Sequence, residues 1–278
     1  MAAANDAGIH YDQLGALYDG EYDSESQDVA FYQALAARSG GPILELACGS
    51  GRLLAHLADP DYGLVVGLDS SGVQLERARA RLGRHPKAGP MLEAERLRLV
   101  QGDMCEFDLP AGPGYSLAIV ALNSFLHLLD ARDQSACLGC IVRHLAPGGL
   151  LAMEVFNPEV KDRHPGVRGL EVVGDFRHPE TGHRVQHLTT VHSDPAAQRR
   201  RYLNLYDEIA SDGTVRRTVH EFWLRYIYRF EMERMLEAAG LELEAVYGGY
   251  EFEPYTGREE EMLFVAVKPG ERAAAPVR

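Results

Sequence analysis

From residue 40 to residue 158, short apolar runs alternate with amphipathic segments. Residues 43–47, 64–68, 97–100, 117–122 and 150–156 are apolar at both parities, as strands covered on both faces of a parallel sheet must be. Between them, 51–58, 73–82 and 132–145 carry helical spacing, and Pro147-Gly148-Gly149 stops the last of these. Strand and helix in repeated alternation predict an α/β, doubly wound sheet. After Pro158 the period shortens. Residues 170–176, 184–191, 201–209 and 214–226 read as half-exposed antiparallel strands, with Ser211-Asp212-Gly213 as the turn between the last two. A helix over 231–239 and strands over 241–246 and 261–267 then restore the earlier pattern. The expected divisions are a helical N-terminal lid (1–40), an α/β core (41–158), an antiparallel β insertion on the acceptor side (159–228), the elements completing the core (229–268) and a disordered tail (269–278).

Composition narrows the function. The net charge of -13 disfavours nucleic acid and anionic membranes, since Arg199-Arg200-Arg201 is the one compact basic run. No apolar stretch is long enough to span a bilayer, and the N-terminus lacks a basic segment followed by an apolar one, so a cytoplasmic protein is expected. Cys137-Leu-Gly-Cys140 has CxxC spacing but lies in a helix-like stretch, where packing is the better reading. His178, His183, His187 and His192 do not share one strand face, and no metal is expected.

Three strand ends carry chemistry. The first is ILELACGSGRLL, residues 43–54, where Gly49 and Gly51 let the backbone approach a ligand at a helix N-terminus. Leu54 stands where a dinucleotide fingerprint needs its third glycine, which argues against NAD. Glu45 is a poor neighbour for a pyrophosphate and a better one for a cationic or zwitterionic ligand. Taken alone, this motif is explained equally well by a tight turn with no ligand. The second is Asp69, closing the strand VVGLD, able to accept from both ribose hydroxyls or to cap the following helix. The third is Gln101-Gly102-Asp103-Met104, whose carboxylate and thioether suit an adenine edge and face.

In this order and spacing, ELACGSGR, GLDSS, QGDM and LAPGG resemble the motifs of class I S-adenosylmethionine-dependent methyltransferases. Ala47 replaces the first of the three glycines many members carry. The resemblance implies a Rossmann-like seven-stranded sheet ordered 3-2-1-4-5-7-6 with the seventh strand antiparallel. It implies S-adenosylmethionine as cofactor, with Gly49 and Gly51 near its methionine, Asp69 at the ribose and Asp103 with Met104 at the adenine. Tyr18, Glu45, Ala47, Arg52, Ser70 and Asn123 complete the expected cofactor set. Tyr11, Tyr18-Asp19 and the segment Leu122-Asn123-Ser124-Phe125-Leu126-His127 are further similar to bacterial small-molecule N-methyltransferases, including aminosugar-type enzymes. There a tyrosine and a histidine face the reacting amine, which makes Tyr11 and His127 the candidate catalytic pair.

Bland readings stand beside these. His127 also suits a loop histidine bonded to backbone, and Tyr11, Leu14 and Tyr18 on one helical face suit a lid or plain packing. Phe125, Trp223 and Arg225 are the acceptor-side candidates; Glu221, Trp223 and Arg225 share one strand face, which sheet-surface pairing explains about as well. The expected function is methyl transfer to an amine or hydroxyl of a small-molecule acceptor, in a monomer or homodimer. The alternatives are a protein or RNA methyltransferase and a non-catalytic S-adenosylmethionine-binding partner.

Overall fold

The computed structural model describes residues 11–23, 27–109, 112, 114–161 and 169–270. The expected tail from 271 onward and the first ten residues of the expected lid lie outside them. Helices α1 (Ala16–Tyr22) and α2 (Gln27–Ser39) precede the sheet. The core then runs β1 (Ile43–Leu46), α3 (Arg52–Leu57), β2 (Val65–Asp69), α4 (Gly72–Arg84), α5 (Ala88–Glu93), β3 (Leu97–Gln101), β4 (Tyr115–Val120), α6 (Ala131–His144) and β5 (Leu145–Phe156). A short helix, α7 (Pro158–Lys161), leads into β6 (Glu171–Arg177), β7 (Arg184–Asp194), β8 (Arg199–Ile209) and β9 (Val215–Arg225). Finally α8 (Arg229–Ala238), β10 (Glu242–Tyr247) and β11 (Glu261–Val267) close the chain.

The seven-stranded sheet has the order β3-β2-β1-β4-β5-β11-β10, with β1 to β5 parallel and β11 antiparallel between β5 and β10. This is the expected 3-2-1-4-5-7-6 arrangement. Successive residues of β1 supply opposite cores. Leu44 and Leu46 join Val120, Phe125, Ile141 and Met153 on one face. Ile43 joins Tyr32, Leu35, Leu54, Leu57 and Leu117 on the other. That double burial is why the strand reads as an unbroken apolar run.

The four remaining strands form a separate antiparallel sheet, β6-β7-β8-β9. Its inner face packs Val185 and Tyr206 against Leu14 and Leu17 of the N-terminal segment. Its outer face neutralises its own charges by cross-strand pairs: Arg201 with Glu221, Arg217 with Asp207 and Arg184 with Asp175. The basic run is thereby divided. Arg199 bonds Asp130, Arg201 bonds Glu221, and Arg200 is buried over the rings of Phe156 and Tyr226. Cys137 and Cys140 are buried on α6, and all four cysteines are free thiols.

Small departures from the expected boundaries have local causes. β1 ends at Leu46 because Ala47 turns to φ 53, and β4 ends at Val120 because Leu122 and Asn123 turn to φ 49 and 62. β5 begins at Leu145 because the Pro147-Gly149 stretch is absorbed as a register shift against β4.

Gly67 in the middle of β2 is held to glycine by packing. A Cβ there would sit 2.4 Å from Leu54 Cδ1 and 2.8 Å from Cys48 Sγ, both buried. Gly67→Ala is expected to destabilise by roughly 1–3 kcal/mol through overpacking. Gly83→Ala in α4, where nothing lies within 4 Å, is expected to stabilise by about 0.5–1 kcal/mol. Urea denaturation of the two variants should move the midpoint in opposite directions; equal midpoints would contradict this packing.

Candidate active site

Three strand ends converge at one edge of the sheet. After β1 the chain passes through Ala47, Gly49 and Gly51, all at positive φ, before α3 begins. Gly51 carries a second constraint, since a Cβ would lie 3.1 Å from Ala78 Cβ on α4. Asp69, at the end of β2, ties this turn in place. Its Oδ2 accepts from the Gly49 N–H at 2.7 Å and its Oδ1 from the Ser71 N–H at 2.8 Å. Burial pushes the Asp69 carboxyl above its ordinary range, against the downward pull of those two amides.

The cavity over this edge has two joined halves that share Tyr18, Ala47, Leu122 and Ser124. One half is lined by Tyr11, Gly49, Asp69, Ser70, Gln74, Met104 and His127. The other is lined by Glu45, Cys48, Ser50, Arg52, Leu53 and Ala121. In it, Glu45 Oε2 is buried and has no hydrogen-bond partner, and burial pushes this carboxyl well up despite Arg52 nearby. Arg52 is itself engaged, donating from Nη1 to Asp28 at 2.9 Å. A larger depression, lined by Phe107, Leu109, Arg143, His144, Pro147 and Lys268, lies at the opposite ends of the strands. Its Lys268 ammonium caps α6 by donating to the Val142 and Leu145 carbonyls.

The Tyr11 hydroxyl and His127 Nε2 share a hydrogen bond of 3.0 Å across the cavity wall. Burial, with Tyr18, Glu21 and Asp69 adding to it, pushes the Tyr11 phenol well up, so it stays protonated. Tyr11 also lies edge-on to Tyr18 at 5.7 Å and to His220 at 5.0 Å. Phe222 lies 5.4 Å from His127 and stacks on Tyr202 at 5.0 Å. The inner face of the insertion therefore meets the core at the Tyr11–His127 pair.

Several expected site residues lie elsewhere. Trp223 and Arg225 are on the outer face of β9, opposite to His220 and Phe222. Arg225 bonds Gln134 at 2.5 Å and Glu231 at 2.6 Å, a structural knot away from the cavity. Phe125 is fully buried in the core and presents nothing to an acceptor. Asn123 uses its Oδ1 to accept from the Phe156 N–H at 2.6 Å, and Asp103 turns back to accept from the Cys105 N–H at 2.8 Å. Sequence reasoning passed over Gln74, Ser124, His220 and Phe222; the alternate parity of β9 was the available clue for the last two. Among the described residues no group of three or more His, Cys, Asp or Glu side chains could hold a metal ion.

Comparison with known proteins agrees with this arrangement. A family described as Methyltransferase domain matches residues 43–149. The cypemycin N-terminal methyltransferase of a Streptomyces species is 28% identical over 244 residues, covering 85% of this chain and 87% of that protein. The dTDP-3-amino-3,4,6-trideoxy-alpha-D-glucopyranose N,N-dimethyltransferase of Streptomyces venezuelae is 28% identical over 246 residues, covering 86% and 93%. The structure of the CcbJ methyltransferase from Streptomyces caelestis superposes with a TM-score of 0.77 at 25% identity, over 94% of this chain and 98% of that one. The S-adenosylmethionine-bound CalS10, an amino pentose methyltransferase from Micromonospora echinaspora, gives 0.67 at 25% identity, over 91% and 95%.

Residues 43–149 thus form a methyltransferase domain, and the chain is an S-adenosylmethionine-dependent N- or O-methyltransferase whose sheet has the α/β methyltransferase fold. It is similar to bacterial aminosugar N,N-dimethyltransferases and to CcbJ. No helix among the described residues is long and apolar enough to cross a membrane.

The cavity's donor set fits the cofactor. The orphaned Glu45 oxygen suits an ammonium group, the open Gly49 backbone suits close approach, and Asp69 suits a diol. Asp69→Ala removes both the diol acceptor and the tether on the glycine turn. It is expected to weaken S-adenosylhomocysteine binding roughly 10- to 100-fold, as for loss of hydrogen bonds to a charged group. Calorimetry that returned the wild-type Kd would remove the cofactor from this cavity.

Proposed function

We propose that the enzyme methylates an amino group on a small, sugar-like acceptor, with Tyr11 and His127 acting at the reacting nitrogen. The observation that carries this reading is the Tyr11–His127 hydrogen bond at the cavity wall, backed by His220 and Phe222 of the insertion. The relatives named for aminosugar N,N-dimethylation support the acceptor class, and the chain's net charge of -13 speaks against a nucleic-acid acceptor.

When bound, S-adenosylmethionine supplies a methyl group on a positively charged sulfur. Glu45, Gly49, Ser70, Asp69 and Met104 would hold it, with Tyr18 over it from α1. The chain's remaining work is alignment and proton handling. Fixing nucleophile and methyl donor in line makes the reaction effectively intramolecular. A neutral amine that accepts a methyl becomes a cation and must shed a proton to be methylated again. His127 would take that proton at Nδ1, in the tautomer whose Nε2–H donates to the oxygen of the protonated Tyr11 phenol, which fixes the ring. The N-terminal segment (1–40) acts as the lid, α1 and α2 being its described helices, and the inner face of the β insertion forms the acceptor side.

Removing a general base typically costs 10²–10⁴-fold. His127→Ala is therefore expected to lower kcat on the true acceptor by about 10²-fold or more while S-adenosylhomocysteine still binds. Tyr11→Phe is expected to lose about 10-fold, the share of an orienting group. The assay is methyl transfer to a panel of nucleotide-linked aminosugars, free amines and phenols, read by mass spectrometry. Turnover confined to phenols would replace N-methylation by O-methylation, and full turnover by His127→Ala would end its catalytic role.

A further inference from the structure

We propose that Glu154 is a positioning residue for methyl transfer: its carboxylate grips the left-handed Leu122–Asn123 turn and so sets Leu122, Ser124 and His127 against the cavity. The inference rests on the reading of that cavity as the cofactor's. Glu154 lies on β5, 2% exposed, and takes hydrogen bonds from three separate elements. Its Oε2 accepts from the Leu122 N–H at 3.2 Å and from the Tyr32 hydroxyl of α2 at 3.2 Å. Its Oε1 accepts from the Tyr250 hydroxyl, beyond β10, at 3.0 Å.

The turn needs such a grip. Leu122 at φ 49 and Asn123 at φ 62 are consecutive non-glycine residues in the left-handed region, which L residues enter at a cost. Both are held from the same strand, Leu122 by Glu154 and Asn123 by the Phe156 N–H that its Oδ1 accepts. Immediately after them, Ser124–His127 forms the 3-10 turn that carries His127 to Tyr11. Slack at Leu122 would therefore reach the reacting groups directly.

The grip also has a pH dependence. Burial and Glu261 push the Glu154 carboxyl up to about 7; the Leu122 N–H and the Tyr250 hydroxyl pull it down, and Asp28 pushes it up. The ionised form is the better acceptor for three donors and the better neighbour for a cationic cofactor. Both effects favour the carboxylate, so cofactor affinity rises with pH through about 7 and falls as the group protonates below it.

The test is S-adenosylmethionine affinity and turnover between pH 6 and pH 8. Wild type is expected to bind about 5- to 10-fold more tightly at the upper end. E154Q keeps an acceptor for Leu122 but cannot ionise. It is expected to match wild type at pH 6 within about threefold and to gain less than wild type towards pH 8. The difference between the two separates Glu154 from Glu45, whose buried carboxyl lines the cavity itself and is also pushed up by burial. E154A is expected to lose about 10-fold or more in kcat/KM, and where it does not fold, E154Q carries the test. A folded E154A with wild-type kinetics, or a wild-type pH slope in E154Q, overturns the proposal. If Asp69→Ala binds cofactor normally, the cavity reading fails instead.

Discussion

The carboxylate of Asp69 is the joint on which the site depends. It belongs to a strand buried on both faces, so the sheet fixes its position before any ligand arrives. From there it accepts the Gly49 amide of the glycine turn and the Ser71 amide that opens α4. Ser71 in turn donates its hydroxyl to Asp12, which links the same joint to the N-terminal segment. Charge-assisted hydrogen bonds of this kind are about twice as strong as neutral ones. The turn is therefore preorganised by a carboxylate that itself lines the cavity.

The electrostatics around this joint are lopsided. Glu45, Asp69 and Glu154 are all buried and all pushed up by burial, while Arg52 is already bonded to Asp28. Hydrogen bonds compensate Asp69 and Glu154, but among the described residues no free cation does, and Glu45 Oε2 lacks even a hydrogen bond, so the burial of these carboxylates is costly. A cationic ligand recovers part of that cost by stabilising the ionised forms. A pyrophosphate would add to it. The same imbalance thus disfavours dinucleotides more firmly than the missing third glycine does, because a loop can adjust its backbone more readily than a core can lose its charges.

The sheet was legible in the sequence because its determinants are local: apolar runs at both parities, glycine at the turns and capping residues after Asp69. The glycine turn and the Tyr11–His127 pair were legible as motifs. The facing of the insertion's strands was not, because a strand's facing depends on one residue of phase. β9 carries chemically suggestive residues at both parities, His220 and Phe222 on one and Glu221, Trp223 and Arg225 on the other. Only the partner strand decides between them: Glu221 lies opposite Leu203 and bonds Arg201, which assigns that parity to the outside. Phe125 and Asn123 were misjudged for a related reason. The segment that carries His127 must also be anchored, and these two side chains anchor it, Asn123 on the Phe156 N–H and Phe125 in the core.

The polar face of α1 joins the insertion to the core, beside the direct bonds of Arg199, Arg200 and Arg225. Asp19 bonds Arg77 and Arg81 on α4, while Glu21 accepts from the Tyr206 hydroxyl at 2.8 Å and contacts His187 Nδ1 at 2.7 Å on the insertion. Acidic side chains two positions apart on one short helix thus reach opposite walls, and the Tyr11 and Tyr18 rings are carried between those walls. Apolar contact there comes from Leu14, Leu17, Val185 and Tyr206, with Tyr11, Tyr18 and Phe176 packed against them. The polar bridges are buried, and buried polar networks of this kind hold only while every partner is in place, so α1, α4 and the insertion fix one another in register beside the cavity.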